Sequence, residues 1–160
     1  MTAYTAPQLL KCCIIERAIE NAIKFNLEGF KESLIENFPD IFETEDSWEV
    51  LIKKITPENV DKVYAEIEYE DDIYNARNEI REGEKTNLSP KNWSRNYEID
   101  AVARQINGLW VVWDYYYGGG KHSNPEEIEW VEEARFADCK EEEVTVIKRT
   151  FTIKGDENAA

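Results

Sequence analysis

The dipeptide Asn107-Gly108 constrains this chain more than any other feature, because it stands between two runs that can only be strands. Both central residues of a two-residue hairpin turn take positive φ, and Asn-Gly is the pair that tolerates this best. Before it, Tyr97, Ile99, Ala101 and Ala103 recur at every second position. After it, Leu109 to Tyr117 is apolar or aromatic on both sides: Leu109, Val111, Trp113, Tyr115 and Tyr117 fall on one face, and Trp110, Val112 and Tyr116 on the other, interrupted by Asp114. A strand of that kind is central in its sheet and covered on both sides, or covered on one side and adhesive on the other. The spacing therefore predicts an antiparallel meander over 97–153, with further strands near 130–139 and from Val144 to Ile153. Asn124-Pro125-Glu126-Glu127 between them has the form of a helix start.

Upstream the period changes to that of helices. From Pro7 to about Asn26, Leu10, Ile14, Ala18, Ala22 and Phe25 recur beside Ile15, Ile19 and Ile23, which predicts a broad apolar face and a buried helix. Phe30, Leu34, Ile35 and Phe38 mark a second helix that Pro39 closes. Asp46, answered by Glu49, reads as the cap of a third, and Thr56-Pro57 as the cap and first residue of a fourth. Between Val60 and Ile80 two periods compete. Val60, Tyr64, Ile67 and Tyr74 fit a helix, whereas Val63, Ala65, Ile67 and Tyr69 alternate with Glu66, Glu68 and Glu70 as a half-buried strand would. The reading adopted is a short helix, a strand near 62–70, and a helix from Ile73 to Arg81 ending at Gly83.

The expected architecture is α+β, with N-terminal helices packed on a four- to five-stranded antiparallel meander sheet. Residues 1–155 are expected to form one domain, with a helical half over 7–82, a polar connector over 83–96 and a sheet half over 97–153; residues 156–160 should fray. A chain of 160 residues buries about two thirds of its unfolded surface and needs no disulfide or metal to hold it together. Its three cysteines, two adjacent at Cys12-Cys13 in an apolar pattern, read as small buried hydrophobes in a reducing compartment. No apolar run approaches the roughly 18 residues of a membrane span, so no membrane association and a cytoplasmic location are expected.

Function is less constrained than fold. The formal charge is −15, from 34 acidic and 19 basic residues, and the acids cluster in Glu66-Ile67-Glu68-Tyr69-Glu70-Asp71-Asp72, Glu126 to Glu133 and Asp138 to Glu143. On a strand, Glu66, Glu68 and Glu70 would project from one face about 6 to 7 Å apart, of the order of phosphate spacing along a nucleic-acid strand. The candidate partner-binding residues are thus Glu66, Glu68, Glu70, Asp71 and Asp72, together with Glu141, Glu142 and Glu143. The plain alternative is a solvated surface whose like charges keep sheet edges apart. A chain this acidic repels phosphate, so its tryptophans and tyrosines are not a base-stacking platform on a basic groove. Direct nucleic-acid binding is disfavoured.

His122, the single histidine, excludes two-histidine zinc signatures and leaves one base for any catalytic triad. It follows Gly118-Gly119-Gly120-Lys121, so Tyr115, Tyr117, Lys121 and His122 form a candidate ligand loop for a small anion or nucleotide. Gly120-Lys121 is not a phosphate-binding P-loop, which needs glycine where Tyr115 stands and Ser or Thr where His122 stands. The bland reading is a flexible loop with two exposed cations. The acidic runs lack the glycine and spaced oxygens of a calcium loop. No catalytic residue, metal or cofactor is assigned, and a binding protein is expected rather than an enzyme. The expected partner is a basic protein, such as a nuclease or other nucleic-acid-binding protein, engaged as a nucleic-acid mimic in the manner of immunity proteins and phage-type inhibitors of host defence. The other readings are a ligand-binding or enzymatic domain using the Gly118–His122 loop, or a self-assembling structural protein, a homodimer included.

Overall fold

The computed structural model describes residues 3–155, so the expected fraying at 156–160 lies outside the described residues. Five helices precede a four-stranded antiparallel sheet, an α+β fold. Helix α1 spans Ala6–Lys24. Thr5 and Gln8 form its capping box, with the Gln8 N–H donating to Thr5 Oγ1 at 3.3 Å and the Thr5 N–H donating to Gln8 Oε1 at 3.0 Å. It stops where Asn26 turns left-handed at φ 53°, which lets the Leu27 N–H reach back to the Ala22 carbonyl at 2.8 Å. Leu9, Leu10, Ile14, Ile15, Ala18, Ile19 and Ala22 are buried along it. Helix α1 is the hub of the molecule, touching α2 (Glu28–Asn37), α4 (Val60–Ile67), α5 (Asp71–Arg81) and strands of the sheet.

Two predicted caps sit elsewhere. Helix α3 (Trp48–Lys54) is capped by Ser47, whose Oγ accepts from the Val50 N–H. Asp46 is used one turn earlier: its carboxylate accepts from the Glu43 N–H at 2.8 Å and pairs with Lys54 at 2.5 Å. Thr56-Pro57 does not begin α4. Thr56 instead supplies the carbonyl that receives the Asn59 and Val60 N–H groups, and Pro57 to Asn59 form a turn before the helix.

The strand expected near 62–70 is absent. That segment is the body of α4 and the turn into α5, because Val60, Val63, Tyr64 and Ile67 are all buried together and only a helical period brings those four to one side. The alternating glutamates leave that side free and do not decide the matter.

The sheet order is β1 (Glu84–Lys85), β2 (Glu98–Ile106), β3 (Leu109–Tyr117), β4 (Arg135–Ala137). Strands β2 and β3 pair along their full lengths from Glu98↔Tyr117 to Ile106↔Leu109, joined by Asn107 and Gly108 at φ 51° and 80°. The predicted hairpin is therefore present in register. Strand β3 is interior, with β4 on its other edge. Its Val111 and Trp113 join Val102 and Ile106 in the helix-facing core, where Trp113 meets Trp130 at a centroid distance of 5.4 Å. On the reverse face Ala101, Ala103 and Val112 make a smaller cluster with Trp110 and Ala137.

The connector and the C-terminal segment exchange expected roles. Glu84 and Lys85 lie within 83–96 yet form the edge strand, pairing with Ala103 and Val102. The strand expected over 130–139 shrinks to three residues, because Trp130 and Val131 turn into the core before it begins. No strand forms from Val144 to Ile153: that segment runs on past β4 as an exposed arm, since the pairing of β3 with β4 ends at Ala137 and nothing lies alongside it. Pro125–Glu127 forms the expected single helical turn. Among the described residues no helix is long and apolar enough to cross a membrane.

Candidate functional site

The first acidic run occupies the corner between α4 and α5. Ile67 is its anchor in the core; Glu66 lies on α4, Glu68 follows its last turn, and Glu70 is the residue before α5. The Glu70 N–H donates to the Ile67 carbonyl at 3.0 Å and the Glu70 carbonyl accepts from Tyr74, so the corner is closed by backbone bonds. Asp71 and Asp72 fill the first turn of α5, where the exposed N–H groups and the helix dipole favour negative charge. Glu70 also accepts a hydrogen bond from Ser33 Oγ. The three glutamates do not stand as a strand-like row, which corrects the phosphate-spacing argument: the corner presents a cluster of carboxylates around a turn. Among the described residues none of the five enters an ion pair, whereas Asp46, Asp61, Glu79, Asp100, Glu129 and Glu132 each face a lysine or arginine.

Glu141, Glu142 and Glu143 lie on a different element, the exposed arm beyond β4, where Lys140 pairs with Glu142 at 2.6 Å.

The candidate ligand loop is a closed structure. Tyr115 and Tyr117 stack at a centroid distance of 5.6 Å, and the Arg81 guanidinium lies 4.8 Å from the Tyr115 ring. Arg81 also donates from Nη1 to the Tyr116 carbonyl at 2.8 Å, while its own carbonyl receives Trp113 Nε1 at 2.8 Å. These contacts fasten the end of β3 to the end of α5, an evident structural use for the tyrosine pair. Partial burial, with the carboxylates of Asp100 and Glu98 nearby, pushes the Tyr117 phenol upward, so it stays protonated at neutral pH. Gly118, Gly119 and Gly120 all have positive φ, and Ser123 Oγ bonds to the carbonyls of Gly118 and Gly120 at 2.7 and 2.8 Å. A Cβ on Gly119 would fall 2.6 Å from the Tyr97 ring. Lys121 and His122 are exposed and line none of five clefts among the described residues.

One of those clefts, of about 240 Å³, lies over the reverse face of the sheet, floored by Ala103, Trp110, Val112 and Ala137 and walled by Leu88 and Cys139. Further along β3 Asp114, 3% exposed, holds the connector: its carboxylate accepts from the Lys91 N–H at 3.0 Å, the Asn92 N–H at 2.8 Å and Asn92 Nδ2 at 3.1 Å. The single acid in an otherwise apolar strand is thus explained by three donors brought from the connector. Another buried charge, Lys11, bridges Asp61 at 2.8 Å and Glu132 at 2.5 Å. Burial pulls its ammonium downward, but bonds to the two carboxylates hold it above its ordinary value. Burial raises Cys12 to about 12 and also raises Cys13, so neither is a thiolate at neutral pH. Among the described residues no group of three His, Cys, Asp or Glu side chains is placed to hold a metal ion.

Compared with protein-family models, curated proteins and solved structures, the chain matches none.

Proposed function

We propose that this protein is an acidic binding protein that works in the cytoplasm by occupying the basic surface of another protein, with its carboxylates standing where phosphates otherwise sit. The observation that supports the reading is the α4–α5 corner, where Glu66, Glu68, Glu70, Asp71 and Asp72 gather around one turn and, among the described residues, enter no ion pair, while eight carboxylates elsewhere have cationic partners. Like charges gathered without counter-charges cost stability, and a basic partner removes that cost on binding. Glu141, Glu142 and Glu143 add to the same field from the arm. The partner class is a basic nucleic-acid-binding protein such as a nuclease, which the field of a −15 chain attracts and steers. Nucleic acid itself is repelled. The three free cysteines fit a reducing compartment.

The test immobilises the wild-type chain and a Glu66→Lys, Glu68→Lys, Asp71→Lys variant and exposes both to lysate of the native host. The wild type is expected to retain a basic nucleic-acid-binding protein at low salt, to release it at high salt or on addition of competing nucleic acid, and the variant is expected to retain far less. Equal retention by both, or retention insensitive to salt, overturns the reading.

A further inference from the structure

The arm beyond β4 is the least economical part of this molecule. Eight of the ten residues in Val144-Thr145-Val146-Ile147-Lys148-Arg149-Thr150-Phe151-Thr152-Ile153 are β-branched or aromatic, the residues that form strands. Yet Val144, Val146, Ile147, Phe151 and Ile153 are 71 to 87% exposed, and among the described residues no backbone hydrogen bond reaches 144–153. An exposed strand-former is normally blunted by charges that repel its own kind. Here the charges do the reverse. The acids Glu141 and Glu142 precede the bases Lys148 and Arg149, and residues 144–155 carry no acid at all.

We propose that two copies of this chain associate through these arms, residues 138–152, paired antiparallel about a twofold axis at Thr145. In that register Glu141 stands opposite Arg149 of the second copy, Glu142 opposite Lys148, Val144 opposite Val146, and Cys139 opposite Phe151. Opposite charges and apolar pairs across neighbouring strands stabilise a ladder, and the twofold axis makes every such pair occur twice. The same register cannot form within one chain. It would require reversal at Val144-Thr145-Val146, whereas tight turns need Gly, Asn or Asp at positive φ. A two-stranded ribbon alone is marginal, but each arm continues β4, which is held by β3 in a four-stranded sheet. This dimer gives Glu141 a counter-charge and Glu142 a second one beside Lys140, and leaves the α4–α5 corner open, so it does not depend on the acidic-docking reading.

The register is tested by charge exchange in the full chain. One variant carries Lys148→Glu and Arg149→Glu, the other Glu141→Arg and Glu142→Lys, and circular dichroism confirms that both fold. Sedimentation equilibrium over a concentration series is expected to give the wild type a mass twice the 18.7 kDa of one chain. Each variant alone opposes four like-charged pairs and should raise the midpoint of dissociation about tenfold or more. An equimolar mixture restores every opposite pair and is expected to return to the wild-type midpoint as a heterodimer. A wild type that stays monomeric throughout, variants that dimerise like the wild type, or a mixture no tighter than its components would each overturn the proposal.

Discussion

Asp114 holds the connector to the sheet, and its removal has a calculable cost. Replacement by alanine takes the acceptor from three donors, two of them the backbone N–H groups of Lys91 and Asn92. A hydrogen bond to a charged group contributes about 1.5 to 3 kcal/mol net, and a buried donor left unsatisfied costs about 1 to 3 kcal/mol. The amides lie in a loop that is only half buried, so water can rehydrate part of what is lost, and Asn92 Nδ2 keeps its bond to Glu133. The working expectation is therefore a loss of about 3 kcal/mol rather than the full sum. For a domain of this length that lowers Tm by about 6 to 12 °C. Urea denaturation followed by tryptophan fluorescence gives the difference directly, with an unchanged m-value showing that the unfolded state is not the cause. Asp114→Asn retains one acceptor oxygen and should lose about half as much. Amide exchange at Lys91 and Asn92 should quicken in both. A loss below about 1 kcal/mol for Asp114→Ala would show that the connector is held by something other than this carboxylate.

Other perturbations separate the remaining contacts. Gly83→Ala places a Cβ 2.9 Å from the Ala103 carbonyl oxygen and 3.0 Å from Trp113, both rigid, and should cost about 1 to 3 kcal/mol in a denaturant titration; Gly108→Val forces a β-branched residue to φ 80° and should cost about 1 to 2 kcal/mol. The hydrogen bond from Lys54, with that from the Glu43 amide, holds the Asp46 carboxyl below its ordinary range. Because the folded pKa is the lower one, its contribution is complete above about pH 4 and is lost as pH falls through the folded value. The stability difference between wild type and Lys54→Met should accordingly be present at neutral pH and vanish in acid; a difference constant down to the acid limit counts against the ion pair. Lys121→Ala with His122→Ala should melt within about 0.5 kcal/mol of wild type, since both side chains are exposed.

What the sequence disclosed follows a physical rule. The β2–β3 hairpin was legible because its register is set by two adjacent residues, Asn107 and Gly108, whose backbone requirement is local. Helix α1 is legible because Leu10, Ile14, Ala18 and Ala22 recur beside Ile15 and Ile19 and all are buried, although Ile23 and Phe25 at its end stand exposed. Residues 62–70 were misread because Val63, Ile67 and the glutamates satisfy two periods at once, and the choice between them is made by the surface of α1 that receives Val60, Val63, Tyr64 and Ile67. Val144 to Ile153 was misread for a different reason: a helix closes its own hydrogen bonds, whereas a strand needs a neighbour that its sequence does not specify. The acidic corner was found as composition but with the wrong geometry. Asp114, Arg81 and the cleft beside Trp110 carry no local motif, since each depends on residues more than twenty positions away.

The position of α1 at the hub has a consequence for how this protein is made. Its first helix leaves the ribosome with Ile14, Ile15, Ala18 and Ile19 bare, and their cover includes α4, α5 and β2. Lys11, near the start of α1, meets one of its two counter-ions, Glu132, only after β3 has been synthesised. Contacts of such sequence separation close slowly, and apolar surface waiting for them is prone to association. No N-terminal fragment ending before β3 should acquire native structure, and the nascent helix is a natural client for chaperones that hold apolar segments until the sheet arrives to receive it.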